Sequence, residues 1–273
     1  MTINSITEIP NPNTKSMKPI KEKQDIYIPD IIDENISRRN GMVYCLTGSG
    51  GSGKSSLLLN LMKNKNQYRN KFHNIYYICP VASFLSVEKH PFEKHDKVYH
   101  ELTPDLLNKL YNELIGIKEN YELKKKKKES KNKKFDDDGD SNLDTPSDEE
   151  NEIQYSCIII DDMASILKDK NISTELNKMI IKARHLCCSF IITLQSYFYC
   201  EKIIRKQLTY VTIFKPKNIE EWNSIAKELF NMNKDDALIL YNYVFDEPYN
   251  HIDVDLVENK YYKNFNLLTF KMI

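Results

Sequence analysis

A glycine-rich segment at residues 48–55 constrains the fold of this chain more than any other feature. It reads GSGGSGKS, which fits the spacing GxxxxGK(S/T), and it stands between an apolar run at residues 42–46 and a run of helical length at residues 55–62. A loop with this spacing wraps an anion with its backbone N–H groups at the N-terminus of the following helix. The strand, loop and helix therefore predict a P-loop, which is a phosphate-binding unit of α/β folds.

The residue types of this loop predict what it binds. We expect the Lys54 ammonium group to reach the β- and γ-phosphates of ATP and the Ser55 hydroxyl to bind Mg²⁺. The residues expected to bind the nucleotide form one continuous stretch: Gly48, Ser49, Gly50, Gly51, Ser52, Gly53, Lys54, Ser55 and Ser56. The sequence therefore predicts a site for ATP together with Mg²⁺.

A second apolar run ends in two acidic residues. Residues 157–160 are followed directly by Asp161 and Asp162. A buried strand of this kind delivers a carboxylate to the sheet edge at which phosphates bind, as in a Walker B element. We expect Asp161 to hold Mg²⁺ through water, and Asp162 to orient or deprotonate the attacking water. The alternative is that these residues cap the element after the strand.

A further apolar strand, at residues 189–194, ends at Gln195 and Ser196. We expect it to lie between the P-loop strand and the Walker B strand, which is typical of the additional-strand class of P-loop ATPases. At its tip, Gln195 can hydrogen-bond the γ-phosphate or the attacking water and so report the nucleotide state. A surface amide without that role is the alternative.

Arg184 is the candidate for catalysis across a subunit boundary. It stands near the end of a predicted helix at residues 173–187, from which it could reach the γ-phosphate of a neighbouring subunit as an arginine finger. The alternative is a cation that interacts favourably with the dipole at the C-terminus of its helix. The adjacent His185 is expected to be structural or solvent-facing.

The residues at 233–236 read NKDD and match NKxD, the guanine-reading signature of GTPases. In GTPases this motif ends a buried strand, whereas here it stands between predicted helices at about 218–230 and 234–245. We therefore interpret Asn233 or Asp235 as a helix cap. The nucleotide is accordingly expected to be ATP rather than GTP.

Continuous apolar runs separated by helical segments predict the overall architecture. Such runs predict strands at residues 42–46, 74–79, 157–160, 189–194 and 210–214, with strand-like segments at 251–257 and 267–273. Strands of this type belong to a mostly parallel sheet that helices cover on both faces. The aromatic residues near the end of the sequence are interpreted as core and sheet packing rather than as a platform for single-stranded nucleic acid: Tyr241, Tyr243, Phe245, Tyr249, Tyr261, Tyr262 and Phe265.

Two segments are predicted to lie outside the ordered part of the domain. Residues 1–25 are rich in Asn, Pro and Lys without periodicity, which is typical of a flexible arm. The domain then spans residues 26–273. Within it, residues 123–152 carry a lysine run and then an acidic run, and they lack the apolar residues that a core requires. We predict a disordered charged insertion there, and a DNA-contacting or phosphorylated segment is the alternative.

The composition limits the partners and the compartment. Lys and Arg together number 39, as do Asp and Glu, so the net charge is zero and any contact with nucleic acid has to be local. The six cysteines form no CxxC pair and are expected to be buried thiols in a reducing compartment. No apolar run approaches the ~20 residues of a membrane span, and the first residues lack the order of a signal peptide. We therefore expect a soluble, intracellular protein that does not enter a membrane.

Taken together, these motifs resemble the FtsK/HerA superfamily of P-loop ATPases, and among them the poxvirus-type genome-packaging ATPases of large DNA viruses and virophages. The resemblance covers about residues 40–215 and is carried by residues 48–55, residues 158–162, Arg184 with His185, and Gln195 with Ser196. The chain departs from the family pattern at Asp162, where many cellular relatives carry Glu. The charged insertion at about 123–152 is likewise not part of the common core.

The resemblance implies a RecA-like core and a ring-shaped homo-oligomer that hydrolyses ATP to move double-stranded DNA into a preformed capsid. It further implies capsid proteins as partners, with the host cytoplasm, the virus factory and the virion as locations. ATP would bind between subunits, with Lys54, Ser55 and Asp161 from one subunit and Arg184 from the next. The alternatives are a cellular-type DNA translocase or helicase, a nucleotide-gated scaffold without turnover, and a small-molecule kinase, against which the scarcity of arginine counts.

Overall fold

The structure is a computed structural model that describes residues 27–28, 31, 33–135, 153–163 and 166–270. The predicted arm at residues 1–25 and the acidic part of the predicted insertion, residues 136–152, lie outside the described residues. The predictions for these two segments therefore stay predictions.

One nine-stranded sheet forms the centre of the described fold. Its strands are β1 (Val43–Thr47), β2 (Asn74–Ile78), β3 (Val98–Tyr99), β4 (Ser156–Ile160), β5 (Cys188–Leu194), β6 (Tyr210–Phe214), β7 (His251–Asp255), β8 (Lys260–Lys263) and β9 (Asn266–Leu268). They lie in the order β3-β2-β4-β5-β1-β6-β7-β8-β9. The strands from β3 through β6 in this order pair in parallel, and β7, β8 and β9 add an antiparallel edge. The predicted, mostly parallel sheet is confirmed, and β5 lies between β1 and β4 as expected.

Helices cover both faces of the sheet. They are α1 (Lys54–Lys63), α2 (Val81–Leu85), α3 (Pro104–Phe135), α4 (Lys170–Ile181), α5 (Lys202–Arg205), α6 (Ile219–Phe230) and α7 (Lys234–Val244). Alternate residues of β1 belong to two separate hydrophobic clusters, because successive side chains of a strand point to opposite faces. Residues of α3, α4, α6 and α7 pack into one cluster, and residues of α1 pack into the other. The central strands β1, β4, β5 and β6 are buried along their whole length.

Helix α3 extends into the segment that was predicted to be a disordered charged insertion. The lysine run at residues 124–128 continues the helix to Phe135, so the prediction that disorder begins at about residue 123 is wrong. Lysine is a good helix former, and the first half of α3 is already anchored by Leu107, Leu110 and Leu114, which are buried against the sheet. Extending an existing helix costs much less than starting one.

The two helices after β6 were predicted correctly, and of the two residues predicted as possible caps it is Asn233 that caps the second helix. The side chain of Asn218 accepts a hydrogen bond from the backbone N–H of Glu221 and begins α6, and Asn233 does the same for Asp236 at the start of α7. The NKxD sequence therefore begins a helix instead of ending a strand. In the part of the chain that the structure describes, no helix combines the length and the apolar composition of a membrane span.

The six cysteines all lie among the described residues and form no disulfide there, and each except Cys187 is buried. Burial raises the pKa of Cys157 well above its ordinary value, and burial with the nearby Asp161 charge raises the pKa of Cys79 to about 12. No group of three or more His, Cys, Asp or Glu side chains among the described residues is arranged to hold a metal ion. Five of the six cysteines are thus buried thiols, as the sequence predicted, and Cys187 is the exception.

Candidate nucleotide-binding site

The P-loop joins β1 to α1 at the edge of the sheet where the parallel strands end. Glycine is required at two of its positions for different reasons. A methyl group at Gly48 would lie 2.6 Å from Phe214 Cβ, which is closer than two carbon atoms can pack. Gly53 has φ 101°, in a region that residues with a side chain rarely adopt, and it is the N-cap of α1. The path of the chain therefore explains the glycine spacing.

Lys54 lies inside this loop. Its Nζ donates hydrogen bonds to the carbonyl oxygens of Gly48 at 2.7 Å and Ser49 at 2.9 Å. Burial lowers the pKa of Lys54, and the charges of Asp162 and Asp161 partly oppose that shift. The Ser52 hydroxyl is also buried in the loop and has no hydrogen-bond partner there. Because buried polar groups are normally paired, an unpartnered hydroxyl in the same loop as a buried ammonium group fits a loop that encloses an anion.

Asp161 is the buried acid of the site. It follows β4 at 2% exposure and accepts hydrogen bonds from Ser55 Oγ at 3.2 Å, Thr193 Oγ1 at 2.6 Å and Tyr77 Oη at 2.8 Å. Charged acceptors form strong hydrogen bonds of this kind, which offset the cost of burying the carboxylate. The structure thus brings together Ser55 and Asp161, the two residues predicted to hold Mg²⁺, and hard oxygen donors suit that ion.

Sequence reasoning missed Tyr77 and Thr193. The Tyr77 hydroxyl lies near Asp161 because β2 pairs with β4. The Thr193 hydroxyl lies there because β5 pairs with β4 on the other side. Burial, followed by the Asp161 charge, raises the pKa of Tyr77 well above its ordinary value, so its hydroxyl stays protonated and donates. For Thr193 the available signal was position, since it stands near the end of a strand that was predicted to neighbour the Walker B strand. The strand that carries Tyr77 was predicted without a place in the sheet, so no such signal pointed to Tyr77.

Asp162 is exposed and differs from Asp161 in its surroundings. Its carboxylate accepts a hydrogen bond from Ser83 Oγ on α2 at 2.8 Å, and its backbone N–H donates to Thr193 Oγ1 at 2.9 Å. Its φ of 57° is unusual for a residue other than glycine, and such strain concentrates at functional sites. Among the charges that raise the pKa of Lys54, Asp162 has the largest effect. Its carboxylate therefore lies in the electrostatic field of the P-loop lysine.

Gln195 and Ser196 follow β5, next to the P-loop strand. Gln195 is exposed there, as a residue that senses a ligand would need to be. Ser196 has structural partners instead, because its hydroxyl donates to Glu221 at 2.5 Å and accepts from the backbone N–H of Phe198 at 3.3 Å. The serine thereby caps the short 3₁₀ helix Tyr197–Tyr199.

Arg184 lies where the parallel strands begin, which is the end of the sheet opposite to the P-loop. Helix α4 ends at Ile181, so the prediction that the helix continues to residue 187 is wrong, and Arg184 stands in the turn before β5. Strand β5 has 7 residues, and a strand rises about 3.3 Å per residue, which places Arg184 roughly 20 Å from Gln195. The structure therefore does not bring Arg184 to the P-loop of its own chain.

A P-loop after β1, an acidic pair after β4 and the strand β5 between them define a P-loop NTPase of the additional-strand class. The family model of the Poxvirus A32 protein matches residues 34–266. The chain belongs to this family, and the match includes all the predicted site residues. No curated protein sequence shows significant similarity to the chain.

Solved structures share the fold at low sequence identity. The DNA-packaging ATPase B204 from Sulfolobus Turreted Icosahedral Virus is 14% identical, with a TM-score of 0.52 over 82% of this chain and 96% of that chain. The genome packaging NTPase B204 from Sulfolobus turreted icosahedral virus 2, in complex with sulfate, is 15% identical, with a TM-score of 0.50 over 85% and 100% of the two chains. The conjugation coupling protein TcpA of pCW3 is 15% identical, with a TM-score of 0.50 over 85% and 60%.

Proposed function

We propose that the chain is an ATP-hydrolysing motor that moves double-stranded DNA, and that it packages a viral genome into a capsid. The observation that carries this proposal is the meeting of Lys54, Ser55 and Asp161 at one edge of the sheet. Membership of the Poxvirus A32 family and the fold shared with the DNA-packaging ATPase B204 support the choice of DNA as the moved substrate.

In the proposed reaction the loop N–H groups and Lys54 hold the β- and γ-phosphates in place. Ser55 and Asp161 would hold Mg²⁺, which neutralises charge on the phosphoryl group as it is transferred. Asp162 takes the proton of the attacking water. To do so, its carboxylate leaves the Ser83 hydroxyl and turns toward the γ-phosphate, and Gln195 hydrogen-bonds the same water.

Phosphate release measured with Mg²⁺, with and without duplex DNA, tests this proposal. We expect release that depends on Mg²⁺ and rises when duplex DNA is added. A protein that binds ATP but releases no phosphate, even with DNA, would be a nucleotide-gated scaffold instead of a motor. A DNA translocase that acts outside packaging is the second candidate, since TcpA shares the fold. Retention of normally filled capsids after deletion of the gene would favour that candidate.

The position of Arg184 restricts any catalytic role to the site of a neighbouring subunit in a homo-oligomeric ring. Mixing two inactive variants tests this. A subunit with Lys54→Ala keeps its arginine, and a subunit with Arg184→Ala keeps its P-loop, so mixed oligomers would regain phosphate release where the two meet correctly. If each variant is inactive alone and the mixture stays inactive although mixed oligomers form, Arg184 does not act across the boundary.

A further inference from the structure

The side chains outside the P-loop that are expected to act on the phosphates all lie on one side of the P-loop strand, β1. Asp161 and Asp162 follow β4 and Gln195 follows β5, whereas β6 and β7 stand on the other side of β1. Since the lysine and the acids fix where the β- and γ-phosphates lie, the sugar and base of a bound nucleotide have to extend away from β4 and β5. They therefore extend toward the ends of β6 and β7.

Two aromatic rings lie on that side, next to the N-terminus of α1. A methyl group placed on Gly53 would lie 3.3 Å from Tyr249 Cδ1 and 3.4 Å from Phe214 Cε1. Phe214 is buried and packs against the ring of His251 at a centroid distance of 5.1 Å. Tyr249, in the loop between α7 and β7, is 71% exposed, so the interpretation of this residue as core packing is wrong. An uncovered ring thus stands beside the start of the helix that receives the phosphates.

The backbone of Tyr249 is held in a conformation that tyrosine rarely adopts. Its φ is 67°, in the left-handed region that disfavours bulky side chains. Its loop is tied down, because Asn250 Nδ2 donates to Asp246 Oδ1 at 2.7 Å, and Lys263 Nζ and Asn264 Nδ2 each donate to this pair at 2.7 Å. Strain of this kind persists where the surroundings enforce it and concentrates at ligand sites. The loop therefore fixes the place of a ring that burial of its own side chain does not fix.

We propose that Tyr249 is the nucleobase platform of this site, on which the purine ring of ATP stacks. The proposal rests on the proposed nucleotide site and adds the residue that recognises the base. Stacking uses the face of a base and no hydrogen-bonding edge, so the platform favours the larger purines over pyrimidines and does not by itself separate adenine from guanine.

Calorimetric titration with two ligands separates the base from the phosphates. Wild-type protein with Mg²⁺ is titrated with AMPPCP, which carries a base, and with tripolyphosphate, which does not. The variant Tyr249→Gly removes the ring and suits a positive φ, so its melting temperature should equal or exceed that of the wild type. Its affinity for AMPPCP should fall roughly 5- to 100-fold, the range that loss of one stacked base produces, and its affinity for tripolyphosphate should not change.

Matched variants complete the test. Tyr249→Phe keeps the ring and should bind AMPPCP like the wild type, and so should Ile239→Ala, which removes an apolar side chain of 69% exposure from α7. Equal AMPPCP affinity of Tyr249→Gly and wild type would overturn the platform, as would a parallel loss of tripolyphosphate affinity. Changed oligomer mass with unchanged AMPPCP affinity would assign the ring to a subunit contact and overturn it too. A wild type that binds neither ligand, like the expected Lys54→Ala, would overturn the proposed function itself.

Discussion

The two sides of the P-loop differ in how they are built. On the β4 and β5 side, Asp161, Tyr77 and Thr193 form a buried network of hydrogen bonds between neighbouring strands. On the β6 and β7 side, the groups beside the loop are the aromatic rings of Phe214 and Tyr249, and the second of these is exposed. The first side holds charged groups, which have to be paired when they are buried. The second side presents the flat face of an aromatic ring. This contrast fits the proposed division, in which the P-loop and the strand ends on the first side hold the phosphates and the metal ion, and the loop that carries Tyr249 holds the nucleobase.

The largest effect is expected from Asp162→Asn, on the phosphate side. This variant keeps the shape of the side chain and removes the carboxylate that accepts the proton of the attacking water. Phosphate release should therefore fall on the order of 10²- to 10⁴-fold while AMPPCP still binds. Ser83→Ala is the matched control, since it removes the hydrogen-bond donor to Asp162 and leaves the carboxylate; its turnover should be equal or higher. Unchanged turnover in Asp162→Asn would contradict the assignment of this residue as the base.

Tyr77→Phe tests the network under the metal site. It leaves a buried oxygen of Asp161 without this donor, which should cost about 1–3 kcal/mol of unfolding free energy, measured by urea denaturation. The Mg²⁺ concentration at which AMPPCP binding is half-maximal should also change. Tyr76→Phe is the control on the same strand, because the Tyr76 hydroxyl donates to Glu113 on α3, away from the site. An identical Mg²⁺ dependence in both variants and the wild type would show that Tyr77 only stabilises the fold.

Gly53→Ala tests the point at which the two sides meet. With φ 101° and an added methyl group 3.3 Å from Tyr249, the variant should lose about 1–2 kcal/mol of stability and bind AMPPCP more weakly. Gly116→Ala is the opposite case, because a methyl group there meets open space within helix α3. It should gain about 0.5–1 kcal/mol. Thermal unfolding of both variants checks the pair, and equal shifts in the same direction would contradict the role of the backbone at Gly53.

The smallest effect is expected from Asn233→Ala, because Asn233 belongs to neither side of the P-loop. Loss of the cap on α7 should lower the unfolding free energy by about 1 kcal/mol, with Asn218→Ala on α6 as the equivalent change. Affinities for ATP and GTP should stay as in the wild type. A selective loss of GTP binding in Asn233→Ala would instead support the guanine-reading interpretation of NKxD.

The phosphate side could be predicted from the sequence because its elements are local. The glycine spacing before Lys54 and the acid after an apolar strand each occupy a few consecutive residues, and the hydrophobic runs predicted the strands that carry them. The partners of Asp161 could not be predicted in the same way. Tyr77 is 84 positions from Asp161 in the chain, and only strand order brings the two together.

The remaining errors have the same origin. Helix α4 stops at Ile181 because the chain turns there to enter β5, whereas composition alone allowed the helix to continue past Arg184. Helix α3 continues through the lysine run because its first half is anchored on the sheet. Tyr249 is an aromatic residue of the kind that usually packs, but its loop has a left-handed backbone at this position and leaves the ring exposed beside Gly53. Each outcome depends on tertiary contacts that local composition does not encode.

Displacement of a third strand from duplex DNA tests the central claim most directly, because it reports movement along DNA and not hydrolysis alone. The assembled wild-type protein should release a triplex-forming strand when ATP and Mg²⁺ are both present, and Lys54→Ala should release none. Wild-type protein that hydrolyses ATP on the same DNA and leaves the third strand in place would contradict the account of this chain as a DNA-moving motor.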